Sequence, residues 1–110
     1  MEITLRIENK DKTFVNDFVP ARLLRDGLKL NEEIAKKKQD GQDSVIDSLD
    51  EMAEFTVKAF NHQFTLDELW DGMELNKFQE ELGRVFNNVL GLGGYALVDQ
   101  ETDSGGKSEG

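Results

Sequence analysis

Apolar and polar positions alternate with a period of two over residues 2–8, EITLRIE, which is the pattern of a half-buried β-strand. The polar run NKDKT separates this stretch from a second one, rich in Phe and Val, at residues 13–18. Together the two stretches predict a β-hairpin over about residues 2–18, with a loop of about four or five residues. Because a lone hairpin is marginal in water, its apolar face must pack on helices or on another subunit.

After Pro20 the apolar positions recur at helical spacing instead. They predict three to four amphipathic helices, at about residues 20–38, 43–61, 65–72 and 74–90. Pro20 suits the first turn of a helix, where its missing N–H is not needed. Gly27 weakens the first helix by about 1 kcal/mol relative to alanine, and it predicts a break or bend near residues 27–31.

Capping signals place the helix ends. Asp43 or Ser44 caps the second helix, Thr65 with Glu68 forms a T-x-x-E capping box for the third, and a glycine-rich stretch from Gly91 stops the last. The predicted fold class is therefore mainly α (α+β), with an N-terminal hairpin, three to four helices and a single domain over residues 1–98. Residues 99–110 hold no apolar side chain and predict a disordered acidic tail.

Composition narrows the class of protein. The chain has 110 residues, enough for one domain, and its 37% hydrophobic and 33% charged content fits a folded domain with a very polar surface. No apolar run reaches the length of a membrane span, and the N-terminus lacks the basic-then-apolar order of a secretory signal. The absence of cysteine excludes disulfides and thiolate chemistry. The cytoplasm is the expected location.

The net charge of −10 is unevenly distributed. Such an acidic chain is repelled by phosphate, so neither nucleic acid nor a membrane surface is an expected partner. Residues 20–38 hold six basic and three acidic side chains, whereas residues 40–54 hold six acids and no base. These faces either pair, within the fold or between copies, or are simply solvated. Arg22 and Arg25 are the candidate self-association residues.

Candidate catalytic and metal-binding residues are few. His62 is the only histidine and sits in a polar connector without a cysteine partner, so a catalytic or ligand role is not expected. An acidic cluster is interpreted as a solvated face, because the spacing of a calcium-binding loop is missing; it consists of Asp67, Glu68, Asp71 and Glu74. The sequence predicts no enzyme, no cofactor and no metal site.

The short third helix carries the only tryptophan of the chain. Its apolar side is formed by Leu66, Leu69, Trp70 and Met73. Two interpretations stay open: these residues bury against the long helices, or they form a partner-binding patch in which an aromatic anchor is surrounded by acids. The four residues are the candidate partner-binding set.

The order of these elements resembles the tail assembly chaperones of long-tailed phages and prophages of Gram-positive bacteria. The strings DFVPARLLRDGL at residues 17–28 and FTLDELWDGM at residues 64–73 carry the resemblance, which covers about residues 1–91. It implies a non-enzymatic protein, similar in role to the tail assembly protein G of lambda-like phages. Such proteins bind the tape measure protein in the host cytoplasm, keep it soluble, help to recruit tail tube (major tail) subunits and are absent from the mature virion. The resemblance also implies self-association.

In that family a ribosomal frameshift often yields a longer product, and Gly105, Gly106 and Lys107 are the candidate frameshift position. The alternative is that these residues are ordinary linker composition. Two other functions stay open. One is a small structural virion component, such as a head–tail connector or completion protein. The other is an acidic regulator that mimics nucleic acid and binds a DNA-binding protein in a salt-sensitive manner.

Overall fold

The computed structural model describes residues 1–42 and 44–95. In that part of the chain an antiparallel two-stranded hairpin precedes four α-helices, which confirms the predicted fold class. The elements are β1 (Glu2–Ile7), β2 (Lys10–Val15), α1 (Ala21–Gln39), α2 (Val45–Ala59), α3 (Leu66–Gly72), a 3-10 turn (Leu75–Lys77) and α4 (Phe78–Leu92). The predicted tail, residues 99–110, lies outside the described residues.

The hairpin turns at Glu8 and Asn9, whose φ angles are +55° and +65°. Positive φ at both central residues is the signature of a two-residue type I′ turn, and it pairs Ile7 with Lys10. The loop is therefore shorter than predicted, and the second strand begins and ends earlier than the expected residues 13–18. The first part of β2 is exposed and polar, so no apolar alternation marks it in the sequence.

Helix α1 runs without interruption from Ala21 to Gln39, so the break predicted near residues 27–31 is wrong. Gly27 is buried, and a Cβ at this position would lie 3.2 Å from Leu90 Cδ2 and 3.3 Å from Phe55 Cζ. The glycine therefore permits α1 to approach α2 and α4 closely. Pro20 is the N-cap residue, directly before the first turn.

Three helices end in the same left-handed cap. Gly41, Asn61 and Gly94 have φ angles of +73°, +60° and +88° and follow α1, α2 and α4. In each case the next N–H donates to a carbonyl of the last helical turn, as in the Schellman motif. These bonds are Gln42 N to Lys37 O (2.8 Å), His62 N to Val57 O (3.0 Å) and Tyr95 N to Leu90 O (2.9 Å).

The starts of α2 and α3 follow the sequence prediction. Ser44 Oγ accepts from Asp47 N at 3.3 Å, while Asp43 lies outside the described residues. The capping box of α3 is confirmed: Thr65 Oγ1 accepts from Glu68 N at 3.1 Å, and Glu68 Oε1 accepts from Thr65 N at 2.8 Å.

Replacing Thr65 with alanine is expected to lower the free energy of unfolding by about 1 kcal/mol, because an orphan N–H of the first turn of α3 loses its acceptor. Urea unfolding followed by circular dichroism measures the change. Thr65→Ser is the matched control and is expected to stay close to the unsubstituted protein, since it keeps the hydroxyl. Equal losses in both variants would show that the cap does not stabilise α3.

The core lies between the inner face of β1 and the helices. Helix α2 packs on α1, α3 and α4. Phe55 and Phe86 join α2 to α4 in an edge contact with ring centroids 5.4 Å apart. The ring centroid of Phe64 lies 5.0 Å from that of Phe14 and 5.7 Å from that of Phe60. These contacts join the hairpin to the end of α2. The apolar face of the hairpin is thus covered by the helices of the same chain.

Two contacts attach the helices to β1. A Cβ at Gly72 would lie 2.9 Å from the carbonyl oxygen of Arg6, so the end of α3 lies directly against the strand backbone. Arg84 Nη2 donates to Glu2 O and to Glu81 Oε1, each at 2.7 Å. The hydrogen bond with Glu81 raises the pKa of Arg84 against the opposing effect of burial, and the charges of Glu81 and Glu2 add to this rise. The guanidinium therefore stays charged at every working pH.

Candidate interaction surfaces

The first candidate surface lies where α3 passes through the 3-10 turn into α4. It is named the Trp70 corner here, and it consists of Leu66, Trp70, Met73 and Leu75. The capping box positions the start of this segment and the contact of Gly72 with β1 positions its end. Since both ends of α3 are held, the side chains of the corner are presented from a well-supported helix.

The structure divides the four predicted partner-binding residues. Leu69 is fully buried, because α3 packs on β1 and α2. It has no surface to offer a partner, and its inclusion in a contact surface is wrong. Leu66 and Met73 are half-buried. Trp70 stacks on the buried Phe78, with ring centroids 4.4 Å apart and planes inclined by 30°, and still exposes 37% of its surface. One part of the Trp70 side chain therefore packs on the core, and another part is exposed to solvent.

Leu75 belongs to the corner in the structure, whereas the sequence placed it in the predicted helix at residues 74–90. Its spacing from Phe78 and Leu82 fits an apolar helical stripe, and the helix at residues 74–90 was expected to bury it. The helix begins only at Phe78, and the 3-10 turn before it points Leu75 away from the core, where it is 95% exposed. The spacing of apolar residues does not show that the α-helix begins only at Phe78, because Leu75 fits the apolar stripe whether or not it lies in the helix.

The segment that forms the corner also carries exposed acids. Asp67, Asp71 and Glu74 are all exposed, and Lys77 Nζ lies 3.6 Å from Glu74 Oε1. Across the described residues, no group of three or more His, Cys, Asp or Glu side chains is arranged to hold a metal ion. An apolar centre with an acidic rim favours a protein partner that carries basic residues beside an apolar stripe.

The second candidate surface is a shallow groove of about 420 Å³ along α1. It is named the α1 groove, and it is lined by Ala21, Leu24, Arg25, Leu28, Lys29 and Glu32. The lining is mostly apolar. The end of α4 reaches the groove, because a Cβ at Gly93 would lie 2.6 Å from the side chain of Leu24.

In the sequence, Leu24 and Leu28 recur at helical spacing together with Leu23, without a sign of which of them is buried. The structure buries Leu23, Gly27 and Leu30 and leaves Leu24 and Leu28 half-buried against the edge of the core. An amphipathic helix has one broad apolar face, and its spacing does not show which edge of that face a neighbouring helix covers. Only the position of α4 decides which side is covered, and this is why the groove was missed.

The other predicted site residues fall in different places. Arg22 and Arg25 are both exposed, and Arg25 lines the α1 groove. They are therefore accessible to a second copy, and their role in self-association stays a prediction. The candidate frameshift residues Gly105, Gly106 and Lys107 lie outside the described residues. None of the described helices is long and apolar enough to cross a lipid bilayer.

The fold and its surfaces define a small hairpin-and-helix protein with exposed apolar side chains and an apolar groove. A family model described as phage tail chaperone protein matches residues 1–109, almost the whole chain. The chain therefore belongs to the phage tail chaperone family, which confirms the resemblance found in its sequence, and its role lies in phage tail assembly. No curated protein and no solved structure matches the chain.

Proposed function

We propose that this tail chaperone binds the tape measure protein in the host cytoplasm, keeps it soluble and helps to recruit tail tube subunits before leaving the finished tail. The observation that carries the proposal is the Trp70 corner. A chain from a chaperone family holds a tryptophan that is 37% exposed and a leucine that is 95% exposed within one short segment. Exposed apolar groups of this kind are what a chaperone offers to an apolar client.

The chemistry of the corner limits the client. An amphipathic helix can bind an apolar surface through residues spaced three and four apart. The acidic rim of Asp67, Asp71 and Glu74 favours a client helix with lysine or arginine beside its apolar stripe. The net charge of −10 keeps a loaded complex soluble and repels phage DNA in the same cell.

Self-association belongs to the same proposal. Arg22 and Arg25 are exposed on α1, and Asp47 and Asp50 are exposed on α2. Basic side chains of one copy and acidic side chains of the next attract each other at low salt. Copies of the chaperone are thereby expected to assemble along an extended client.

Co-expression with the tape measure protein tests the function. We expect the tape measure protein to move from the pellet to the soluble fraction and to co-purify with the chaperone. An unrelated aggregation-prone helical protein is the control client and should stay insoluble. If the tape measure protein stays in the pellet and does not co-purify, client binding is refuted.

Mass spectrometry of purified virions separates this function from the alternative of a structural virion component. We expect the chain to be absent from particles and present in lysates of infected cells. Its presence at a fixed copy number in particles would favour a connector or completion protein instead.

A further inference from the structure

The α1 groove has a definite chemistry. Its lining combines the apolar side chains of Ala21, Leu24 and Leu28 with the charged side chains of Arg25, Lys29 and Glu32, of which two are basic and one is acidic. Arg22 is exposed one position after Ala21, so this end of α1 carries three basic side chains. The groove therefore suits a short apolar segment with acidic residues beside it.

The chain leaves the described structure beside this groove. Gly93 lies against the side chain of Leu24, and the cap of α4 holds Tyr95 N at 2.9 Å from Leu90 O. The next residues, Ala96, Leu97 and Val98, form an apolar run. Acids follow at once, at Asp99, Glu101 and Asp103. An apolar run followed by acids, the type of segment that suits the groove, thus comes directly after the residues that lie beside it.

The distances permit this contact. Leu97 follows Gly93 by four positions, and an extended chain of that length spans up to about 13 Å. Leu28 lies one turn of α1 from Leu24, about 6 Å along the helix axis. A segment tethered so closely has an effective concentration in the millimolar range, roughly, which exceeds that of a second copy in dilute solution.

We propose that residues 96–98 of the chain bind in the α1 groove of the same molecule, and that Asp99, Glu101 and Asp103 pair with Arg22, Arg25 and Lys29. The C-terminal segment then covers the groove and competes with a second copy for this face of α1. The proposal rests on the groove and the segment alone and does not depend on client binding at the Trp70 corner.

A disulfide trap tests the proposal in the full chain without any client. Because the chain contains no cysteine, the pair Leu28→Cys and Leu97→Cys introduces the only two thiols. Mild oxidation should join them within one molecule, which runs as a monomer on a non-reducing gel and has lost its free thiols. The control is Val45→Cys with Leu97→Cys. Val45 is 71% exposed at the start of α2, near the opposite end of α1, where Lys37 pairs with Glu51.

A second pair, Ala21→Cys with Leu97→Cys, guards against a folding defect, since Ala21 is exposed and its replacement removes no packing. We expect both groove pairs to form the intramolecular disulfide at least about tenfold faster than the control pair. Adding Arg25→Glu and Lys29→Glu to the Ala21 pair should slow formation of its disulfide by about three- to tenfold. The two charge reversals replace attraction to the acidic segment by repulsion at two exposed positions.

Two results would overturn the proposal. A disulfide that joins two molecules in preference to one would make a second copy the occupant of the groove. Closure of both groove pairs at the rate of the control would show that the segment does not occupy it. In neither case is the co-expression result with the tape measure protein affected.

Discussion

Replacing Leu75 with aspartate is expected to reduce co-purification of the tape measure protein by about tenfold or more while leaving the stability of the chaperone unchanged. Leu75 is 95% exposed and has almost no packing to lose. A carboxylate at the centre of an apolar contact must be desolvated on binding and finds no partner among the acids around the corner. The measurement is the amount of client captured per chaperone after co-expression, beside a thermal unfolding curve of the free variant.

Trp70→Ala tests the same surface at a residue that also packs on the core. Truncation of an aromatic anchor typically weakens binding by about thirtyfold. Because Trp70 also stacks on Phe78, the variant is expected to lose about 2 kcal/mol of unfolding free energy and to keep its helical circular dichroism signal. A collapse of that signal would place Trp70 among the core residues and remove it from the interface.

Ile46→Asp is the matched control for Leu75→Asp. Ile46 is 70% exposed at the start of α2, so the same apolar-to-acidic change is made outside the Trp70 corner. Client capture by this variant should match that of the unsubstituted protein. Unchanged capture by Leu75→Asp, or an equal loss in both variants, would contradict the assignment of the client to the corner.

Gly72→Ala is expected to produce the largest change in stability, a loss of about 2 kcal/mol or more in unfolding free energy. The added Cβ would lie 2.9 Å from the carbonyl oxygen of Arg6 and 3.2 Å from the Cβ of Leu5. The backbone of β1 cannot move aside as a flexible side chain can, so α3 must shift from the strand. Urea unfolding measures the loss.

Gly83→Ala is the control for this prediction. Apart from its chain neighbours and the backbone of its own helix, no atom lies within 4 Å of a Cβ added at Gly83, which sits in the interior of α4. Alanine has the higher helix propensity, so this variant should gain up to about 1 kcal/mol. The same substitution is therefore expected to have opposite signs at two helical glycines. A neutral or stabilising Gly72→Ala would show that α3 and β1 do not approach as closely as described.

Several features of the fold could be predicted because they depend on neighbours in the chain. A capping box involves residues three positions apart, so Thr65 and Glu68 marked the start of α3 correctly. The helices were found because a buried face repeats every three or four residues. The hairpin turn was missed because no such local pattern marks it: Glu8 and Asn9 adopt positive φ although neither is glycine, and the exposed polar start of β2 shows no alternation.

The candidate sites depended on contacts that are distant in sequence. Leu69 and Trp70 are adjacent and both apolar, yet one is fully buried and the other is partly exposed. The difference arises because β1 and α2 cover one side of α3 only. In the same way, Leu24 and Leu28 stay half-buried beside the groove, although α4 contacts the same helix at Gly27 and Leu24 through Leu90 and Gly93.

The amino-acid sequence by itself determined the family of this protein, the hairpin and the helices, and the caps that begin α2 and α3. These properties follow from residue strings and from interactions within a few positions of the chain. The tertiary structure alone decided which apolar residues face solvent and why Gly27 and Gly72 are glycines. Exposure and close approach depend on segments far apart in sequence, and no local pattern records where those segments meet.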